Sequence, residues 1–441
     1  MKPVAAQIEE STPQGIAAAI ARMISSGDLA PGDRLPTVRA LAADLRISPA
    51  TVSHAWQALS GVGLIVSRGR SGSFVRATSR RWLPPRFQGL AGQLEATRLD
   101  LSTGTPDPEL LPAIGPALSR VSTRAGTTSY LTEPVIPELE TVLRDTWPYE
   151  VEAVTVVDGA LDAISRALEL VVRFGDRVIV ESPGFPPFFD LLDHFGAVRV
   201  PVELDADGML PDSLAAALKL RPTAVLLQPR AQNPTGRSLT RARAEELARV
   251  IRSNRGAGET IVIEDDHSGE ISATRDVSLG SWLPDQVLHV RSFSKSHGPD
   301  LRIAAIGGPT ELIDQLVSRR ILGPGWTSRM LQTILHDLLT DPSSVSEVND
   351  ARRVYRARQR KLAEALSAHG VPTVAADGVN TWIGVSDERS AVVRLAAAGI
   401  RVAAGTPFLA ISGGNFIRVT AGQVRGEFDS VAAEIASAAR A

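Results

Sequence analysis

The sequence predicts an α/β protein in two parts: a small helical head with a basic hairpin, then a larger body built on a mostly parallel sheet. Three observations predict this. Residues 1–80 carry short apolar-faced helical stretches broken by turn residues. From Val154 onward, strand-length apolar runs alternate with helix-length segments, the pattern of a sheet covered on both faces. Charge divides along the same boundary: nine Lys/Arg against five Asp/Glu in residues 1–80, or +4, and 38 against 44 in the remainder, or −6. A basic front end on an acidic body suits a chain in which one module meets nucleic acid.

A length of 441 residues with 44% hydrophobic and 22% charged residues gives two or three globular domains ample core. No apolar run reaches the ~18 residues of a membrane span. The stretch MKPVAAQIEESTPQ lacks the apolar centre of a signal peptide, so a cytoplasmic location is expected. The absence of cysteine removes disulfides, thiolate metal sites and cysteine nucleophiles, and no metal site is predicted. Lysine is scarce: Lys2, Lys219, Lys295 and Lys361 are the whole set. A lysine amine can lose its proton and act as a nucleophile, which a guanidinium does not do, so amine chemistry has few candidates.

The elements follow in order. A first helix runs from about Gln14 to Ser25, with Ile16, Ile20, Met23 and Ile24 on one face. Gly27-Asp28 ends it. Thr37 caps a second helix through Leu45, buried by Val38, Leu41 and Leu45, and Ser48 caps a third with Pro49 at its first position and Val52, Trp56 and Leu59 inward. The run from Leu64 to Val75 reads as a hairpin with a basic, glycine-bearing tip. The head thus covers residues 8–76, a linker with Arg80-Arg81 and Pro84-Pro85 covers 77–98, and the body covers 99–441. Strands are predicted at Val154–Val157, Arg177–Val180, Ala224–Leu227, Ile261–Ile263, Val287–Val290 and Ile303–Ile306, with helices at Leu161–Val172 and Arg241–Asn254 between them. These place a large lobe at about 135–325. A smaller α+β lobe, mainly 340–441, holds a helix at Val354–His369.

Two short helices joined by a tight turn, then a basic hairpin, form the layout of a winged helix-turn-helix. Arg39, Ser48, Thr51, Ser53, His54 and Gln57 occupy its polar helix positions, and Arg68 and Arg70 the wing tip, where phosphate or minor-groove contact is expected. The run Gly32 to Ala42, then Ser48-Pro49-Ala50-Thr51-Val52 and Gly72-Ser73-Phe74-Val75, resembles the GntR-type module over about 60 residues. Pro49-Ala50 departs from it, because that family often carries an arginine before the threonine-valine pair.

Four segments of the body carry chemistry. Val156-Val157-Asp158-Gly159-Ala160-Leu161 runs from a strand end through glycine into a helix, whose first amides favour a phosphate. Asn233-Pro234-Thr235-Gly236 forms a turn after the strand Ala224–Leu227. Ile263-Glu264-Asp265-Asp266-His267 sets acids at the carboxyl end of a buried strand, the edge where parallel sheets gather ligands. Ser292-Phe293-Ser294-Lys295, with Arg302 seven residues later, flanks a lysine with hydroxyls at another strand end.

In this order and spacing the segments resemble the fold-type I pyridoxal phosphate proteins, specifically the class I aminotransferases, over residues 98–441. Joined to the GntR-like head, the chain resembles the MocR subfamily of regulators. The resemblance implies pyridoxal 5′-phosphate as cofactor, with Lys295 carrying its aldehyde as a Schiff base and Asp265 pairing with the ring nitrogen. It implies Asn233 on the ring oxygen, Phe185 stacked on the ring, and Gly159, Ala160, Ser292, Ser294 and Arg302 around the phosphate. Tyr130 matches a tyrosine that reaches a neighbouring subunit's phosphate, implying a homodimer, and Arg418 matches an arginine that grips an amino acid's carboxylate.

Three departures are visible. His267 stands where the family has tyrosine; it is expected to hydrogen-bond the cofactor yet to titrate near neutrality. The segment Tyr130 to Pro137 lacks a family glycine. Asp158 sets an acid beside the phosphate site, unfavourable unless it turns toward the helix cap or Arg302. The function implied is a pyridoxal phosphate-dependent DNA-binding transcriptional regulator that senses an amino acid or other amine. The alternative is an active aminotransferase with an appended head.

Overall fold

A computed structural model describes residues 4–8, 10–61, 64–67, 69–75, 84, 86, 97–121, 129, 132–254, 260–411 and 413–440. They fall into two compact units, residues 1–88 and 89–441.

The first unit has helices α1 (Pro13–Ser26), α2 (Val38–Leu45) and α3 (Pro49–Gly61), followed by strands β1 (Ile65–Ser67) and β2 (Ser73–Val75). The predicted start signals are in place. Thr37 Oγ1 accepts the Ala40 amide at 3.1 Å and Ser48 Oγ accepts the Thr51 amide at 3.2 Å, each satisfying an otherwise unpaired donor of the first turn. Gly27 ends α1 in the left-handed region at φ 84°, where a side chain would be strained. Val52, Trp56 and Leu59 pack inward with Ile16, Ile20 and Leu41 in one apolar cluster. β1 and β2 pair antiparallel, Ile65 opposite Val75, and a short 3₁₀ turn over Gly69–Ser71 forms the tip.

The second unit opens with β3 (Leu99–Leu101) and continues with β4 (Ala153–Val157), β5 (Arg177–Ser182), β6 (Val198–Asp205), β7 (Gly208–Met209), β8 (Ala224–Leu227), β9 (Ile261–Asp266), β10 (Val287–Ser292) and β11 (Ala304–Gly308). After a helical stretch come β12 (Thr381–Gly384), β13 (Ile400–Ala404) and β14 (Phe416–Val419). An eight-stranded sheet has the order β4-β11-β10-β9-β8-β5-β6-β7. Pairings from β10 through β9, β8 and β5 to β6 are parallel. The sheet is thus mostly parallel, as predicted, and β11, which runs against both of its neighbours, makes it mixed. Val178, Val180, Leu226, Ile263 and Val290 face the helices 160–171 and 186–194 on one side. Ile179, Val225, Val262 and Val287 face the helices 211–218 and 241–253 on the other. This two-sided burial explains why the strands read as unbroken apolar runs.

The smaller sheet has the order β12-β14-β13-β3. β3 is far from its partner in sequence, and its three residues are too few to stand out by pattern. Its pairing with β13, Leu101 beside Val402, ties residues at the start of the unit into the small lobe. The helix predicted at Val354–His369 is the second half of a longer one, Pro342–Ala368. Among the described residues, no helix is long and apolar enough to cross a membrane.

Candidate functional site

The carboxyl ends of β5, β8, β9 and β10 converge at the centre of the large sheet. Asp265 is the next-to-last residue of β9, 2% exposed. Its Oδ2 accepts Gln228 Nε2 at 2.8 Å, while its buried Oδ1 has no partner among the described residues. Burial raises the Asp265 carboxyl to about 6; Asp266 adds to the rise and Gln228 and Lys295 oppose it. A buried acceptor with an empty lone pair is costly unless a donor arrives, so Asp265 is built to meet one.

Lys295 follows β10, and its Nζ donates to the Gly104 carbonyl at 2.9 Å. Burial, with the Arg418 charge nearby, pushes the ammonium down to about 8. Arg418, on β14, is 1% exposed. Its Nη1 donates to Asn233 Oδ1 at 3.2 Å and its Nη2 to the Ser102 carbonyl; it forms no ion pair among the described residues. Its guanidinium lies over the Phe408 ring, 5.0 Å from the centroid. The amine, the guanidinium and the Asn233 amide thus meet between the two lobes.

At the amino end of helix 160–171, Gly159 has φ 106° and no side-chain cap. A Cβ built there would sit 2.7 Å from Arg302 Nη2, so only glycine lets the guanidinium close over the helix start. Arg302 donates to the Asp158 carbonyl at 3.0 Å, and Ser292 Oγ accepts the Ser294 amide at 3.3 Å. The Arg302 guanidinium over the helix start, with Ala160 as the first helical residue, forms an anion cradle. Gly159→Ala is expected to weaken phosphate-dependent cofactor binding by roughly ten- to a hundredfold, the scale of one charge-assisted contact. Titration of the apoprotein checks it; unchanged affinity would remove Arg302 from the cradle. Phe185 precedes helix 186–194 and meets Phe188 edge-on, ring centroids 5.2 Å apart.

Two expectations need correction. His267 does not titrate near neutrality: burial and the Lys295 charge push it down to about 3. Its Nε2 lies 2.8 Å from the Ala231 carbonyl and its Nδ1 3.5 Å from Ser268 Oγ. A neutral ring there donates from Nε2 to Ala231, so that hydrogen is not available to the cofactor. Asp158 turns neither to the helix cap nor to the Arg302 side chain. Its carboxylate takes Arg320 Nη2 at 2.9 Å and Thr327 Oγ1 at 2.7 Å, neutralised away from the cradle.

Other groups were not singled out from sequence. Gln228, which orients Asp265, also accepts the Asn233 amide at 2.8 Å and donates its own amide to Glu181 at 3.0 Å. Arg230 is paired with Asp266 at 2.5 Å, which holds that carboxyl down at about 2 against the burial that would raise it. Glu181 and Gln228 sit at the ends of β5 and β8, so the strand-end rule that found Asp265 would have found them too.

In the head, Arg39, His54 and Gln57 are exposed, and Thr51 and Ser53 partly so. The Ser48 hydroxyl is engaged with Thr51 as the helix cap, its Oγ 2.9 Å from Thr51 Oγ1. Arg68 and Tyr130 lie outside the described residues, and of Arg70 only the backbone, in the tip turn, is described.

Residues 96–435 match the family described as aminotransferase class I and II, and residues 12–75 match the bacterial regulatory proteins of the gntR family. A Salmonella typhimurium protein, named vitamin B6 salvage pathway transcriptional repressor PtsJ, is 34% identical, covering 97% of this chain and 98% of its own. The chain belongs to the MocR-type regulators. Further MocR-type relatives include the regulator TauR of Rhodobacter capsulatus, 28% identical over 87% of each chain. The pyridoxine biosynthesis regulator PdxR of Corynebacterium glutamicum is 26% identical, covering 82% of this chain and 81% of its own. Among solved structures, the body shares the fold of the α-aminoadipate aminotransferase LysN of Thermus thermophilus. That match has TM-score 0.70 and 23% identity, covering 80% of this chain and 94% of that one. Aspartate aminotransferase from the same organism gives 0.69 and 23%, covering 81% and 100%.

A MocR-type regulator is a DNA-binding transcription factor whose aminotransferase-like domain takes pyridoxal phosphate. The residues present fit that cofactor: the unpartnered Asp265 Oδ1 suits a ring N–H, and the Gly159–Arg302 cradle suits a phosphate.

Proposed function

We propose that this regulator holds pyridoxal phosphate through Lys295 and senses a small molecule bearing both an amine and a carboxylate. When bound, the cofactor supplies an aldehyde for amines and a ring that accepts electron density. The observation that carries the reading is Arg418: a buried guanidinium with no carboxylate partner among the described residues, in the same space as the depressed Lys295 amine. One reads a carboxylate and the other marks where an amine reacts. Asn233 orients the guanidinium, Asp265 presents its free oxygen to the ring, and Gln228 fixes that carboxylate's direction.

In this reading the ligand alters how two paired heads engage two half-sites of DNA, so the working unit is a homodimer, with Tyr130 reaching across. Arg39, Thr51, Ser53, His54 and Gln57, with Arg68 and Arg70 on the wing, are the proposed contacts. Retention of the full chain on the DNA upstream of its own gene, with and without cofactor and candidate amino acids, tests it. A ligand that shifts retention in the native chain and not in Arg418→Leu is the expected result; retention indifferent to every ligand sinks the reading. Arg39→Ala is expected to weaken DNA binding and to lower its salt dependence by about one counterion per contact, read from the slope against salt.

A second reading has specific support: the relatives named for vitamin B6 salvage and pyridoxine biosynthesis. There the cofactor is itself the signal, and it alone, without an amine, changes DNA retention. Sustained turnover with a keto acid acceptor would instead identify an active aminotransferase.

A further inference from the structure

A cavity of about 670 Å³ opens beside the second half of the Asn233 turn, with none of the cofactor-site residues in its wall. Its size falls within the range of small-molecule pockets. The large lobe contributes Thr235 to Arg241 and Thr274 to Val277; the small lobe contributes Pro372 to Asp377 and Trp382. The lobes meet closely here. The Asp377 amide donates to the Gly236 carbonyl at 2.8 Å, and a Cβ on Gly236 would sit 2.5 Å from Ala376 Cβ.

Three arginines, Arg237, Arg241 and Arg275, face this cavity, all exposed and none in an ion pair among the described residues. Arg241 rests its guanidinium against the Trp282 ring, 5.1 Å from the centroid, and is the first residue of the helix 241–253. The positive end of that helix therefore adds to the three charges. The two acids in the wall are already engaged, Asp276 by a cation and Asp377, still charged, by neutral donors. Asp276 pairs with buried Arg230, and Asp377 accepts the Ala273 and Gly378 amides at 2.8 Å and the Ser272 hydroxyl. Three arginines against one carboxylate without a cationic partner leave the pocket with a net positive charge.

Its apolar side is equally specific. Trp382 is held by stacking on Phe416, centroids 5.0 Å apart, and stays partly exposed in the wall. Val374 at the rim is 88% exposed, an apolar side chain left to water next to the arginines. Planar guanidiniums match phosphate oxygens two at a time, and an indole with aliphatic neighbours suits a flat ring. We propose that this cavity is a second ligand site, separate from the cofactor site, for a small aromatic phosphate ester.

The test uses the full chain loaded with pyridoxal phosphate and then freed of unbound cofactor, so that the first site is filled, the second is left open, and the visible absorbance reports loading throughout. Phenyl phosphate and inorganic phosphate are titrated by calorimetry into the native chain and into Arg237→Ala/Arg275→Ala. The expected result is saturable binding of phenyl phosphate, tighter than inorganic phosphate, and weakened at least about tenfold in the double variant with absorbance unchanged. Absence of binding, equal affinity in the variant, or equal affinity for the two probes overturns the proposal. So does a variant that binds phenyl phosphate normally but loses DNA affinity, because the arginines would then serve the nucleic acid.

Discussion

Lys295→Ala is expected to abolish covalent retention of pyridoxal phosphate entirely. Borohydride reduction of the loaded protein, followed by peptide mass spectrometry, should label the Lys295 peptide in the native chain and nothing in the variant. Among the described residues, neither other lysine stands ready to substitute. Lys219 follows the helix 211–218, and Lys361 lies over the Phe428 ring, 5.6 Å away. The environment also predicts a pH profile. The neutral amine is the reactive form, and at pH 7 a group with a pKa near 8 is roughly one-tenth neutral, against well under a thousandth for an ordinary lysine. The loading rate should therefore climb with pH up to about 8 and level off beyond it. A label on another lysine, or a rate still rising steeply at pH 10, would refute the assignment.

Asp265→Asn should separate binding from stability. Burial raises this carboxyl to about 6 against an unfolded value of 3.8, so the fold disfavours its charged form. Asp265 therefore favours the apoprotein fold most when protonated. That contribution declines as pH rises from about 4 through 6 and is lost above. Asparagine keeps the shape and carries no charge, so the apo variant is expected to gain stability at pH 7, on the order of 1–3 kcal/mol, and little at pH 4. The same change removes the carboxylate for the cofactor ring nitrogen and should weaken cofactor affinity by roughly a hundredfold, the scale of a buried charged contact. Paired denaturation and cofactor titrations at both pH values decide it; a variant destabilised at pH 7 would show that the charge is welcome in the empty fold.

Much of this site was legible in the sequence because its chemistry rests on local features. Asp265 is the next-to-last residue of β9, Gly159 lies two residues past β4 and Lys295 three past β10, and strand ends are visible as breaks in the hydrophobic runs; Asn233, six residues past β8, shows instead as an Asn-Pro turn. The head was legible for a similar reason: Thr37, Ser48 and Pro49 act on the first turn of their own helices, so their meaning needs no distant partner. The wing, Ile65 to Val75, closes over a few residues.

What sequence did not reveal depended on partners far along the chain. Whether Asp158 was a hazard to a bound phosphate was decided by Arg320, 162 residues away. His267 looked like a near-neutral titrating group until burial and Ala231 fixed it as neutral. The reversal of β11 and the placing of β3 in the small sheet are likewise matters of pairing. A strand's pattern records which faces are buried but not which neighbour or direction it takes. The sequence by itself therefore determined the two modules and the helix starts, because these are written in propensities and nearby residues. Tertiary structure alone decided the charge states of Asp265, His267 and Lys295, the freedom of Arg418, and the arginine-lined cavity between the lobes. Those depend on desolvation and on which charges the fold brings within a few ångströms.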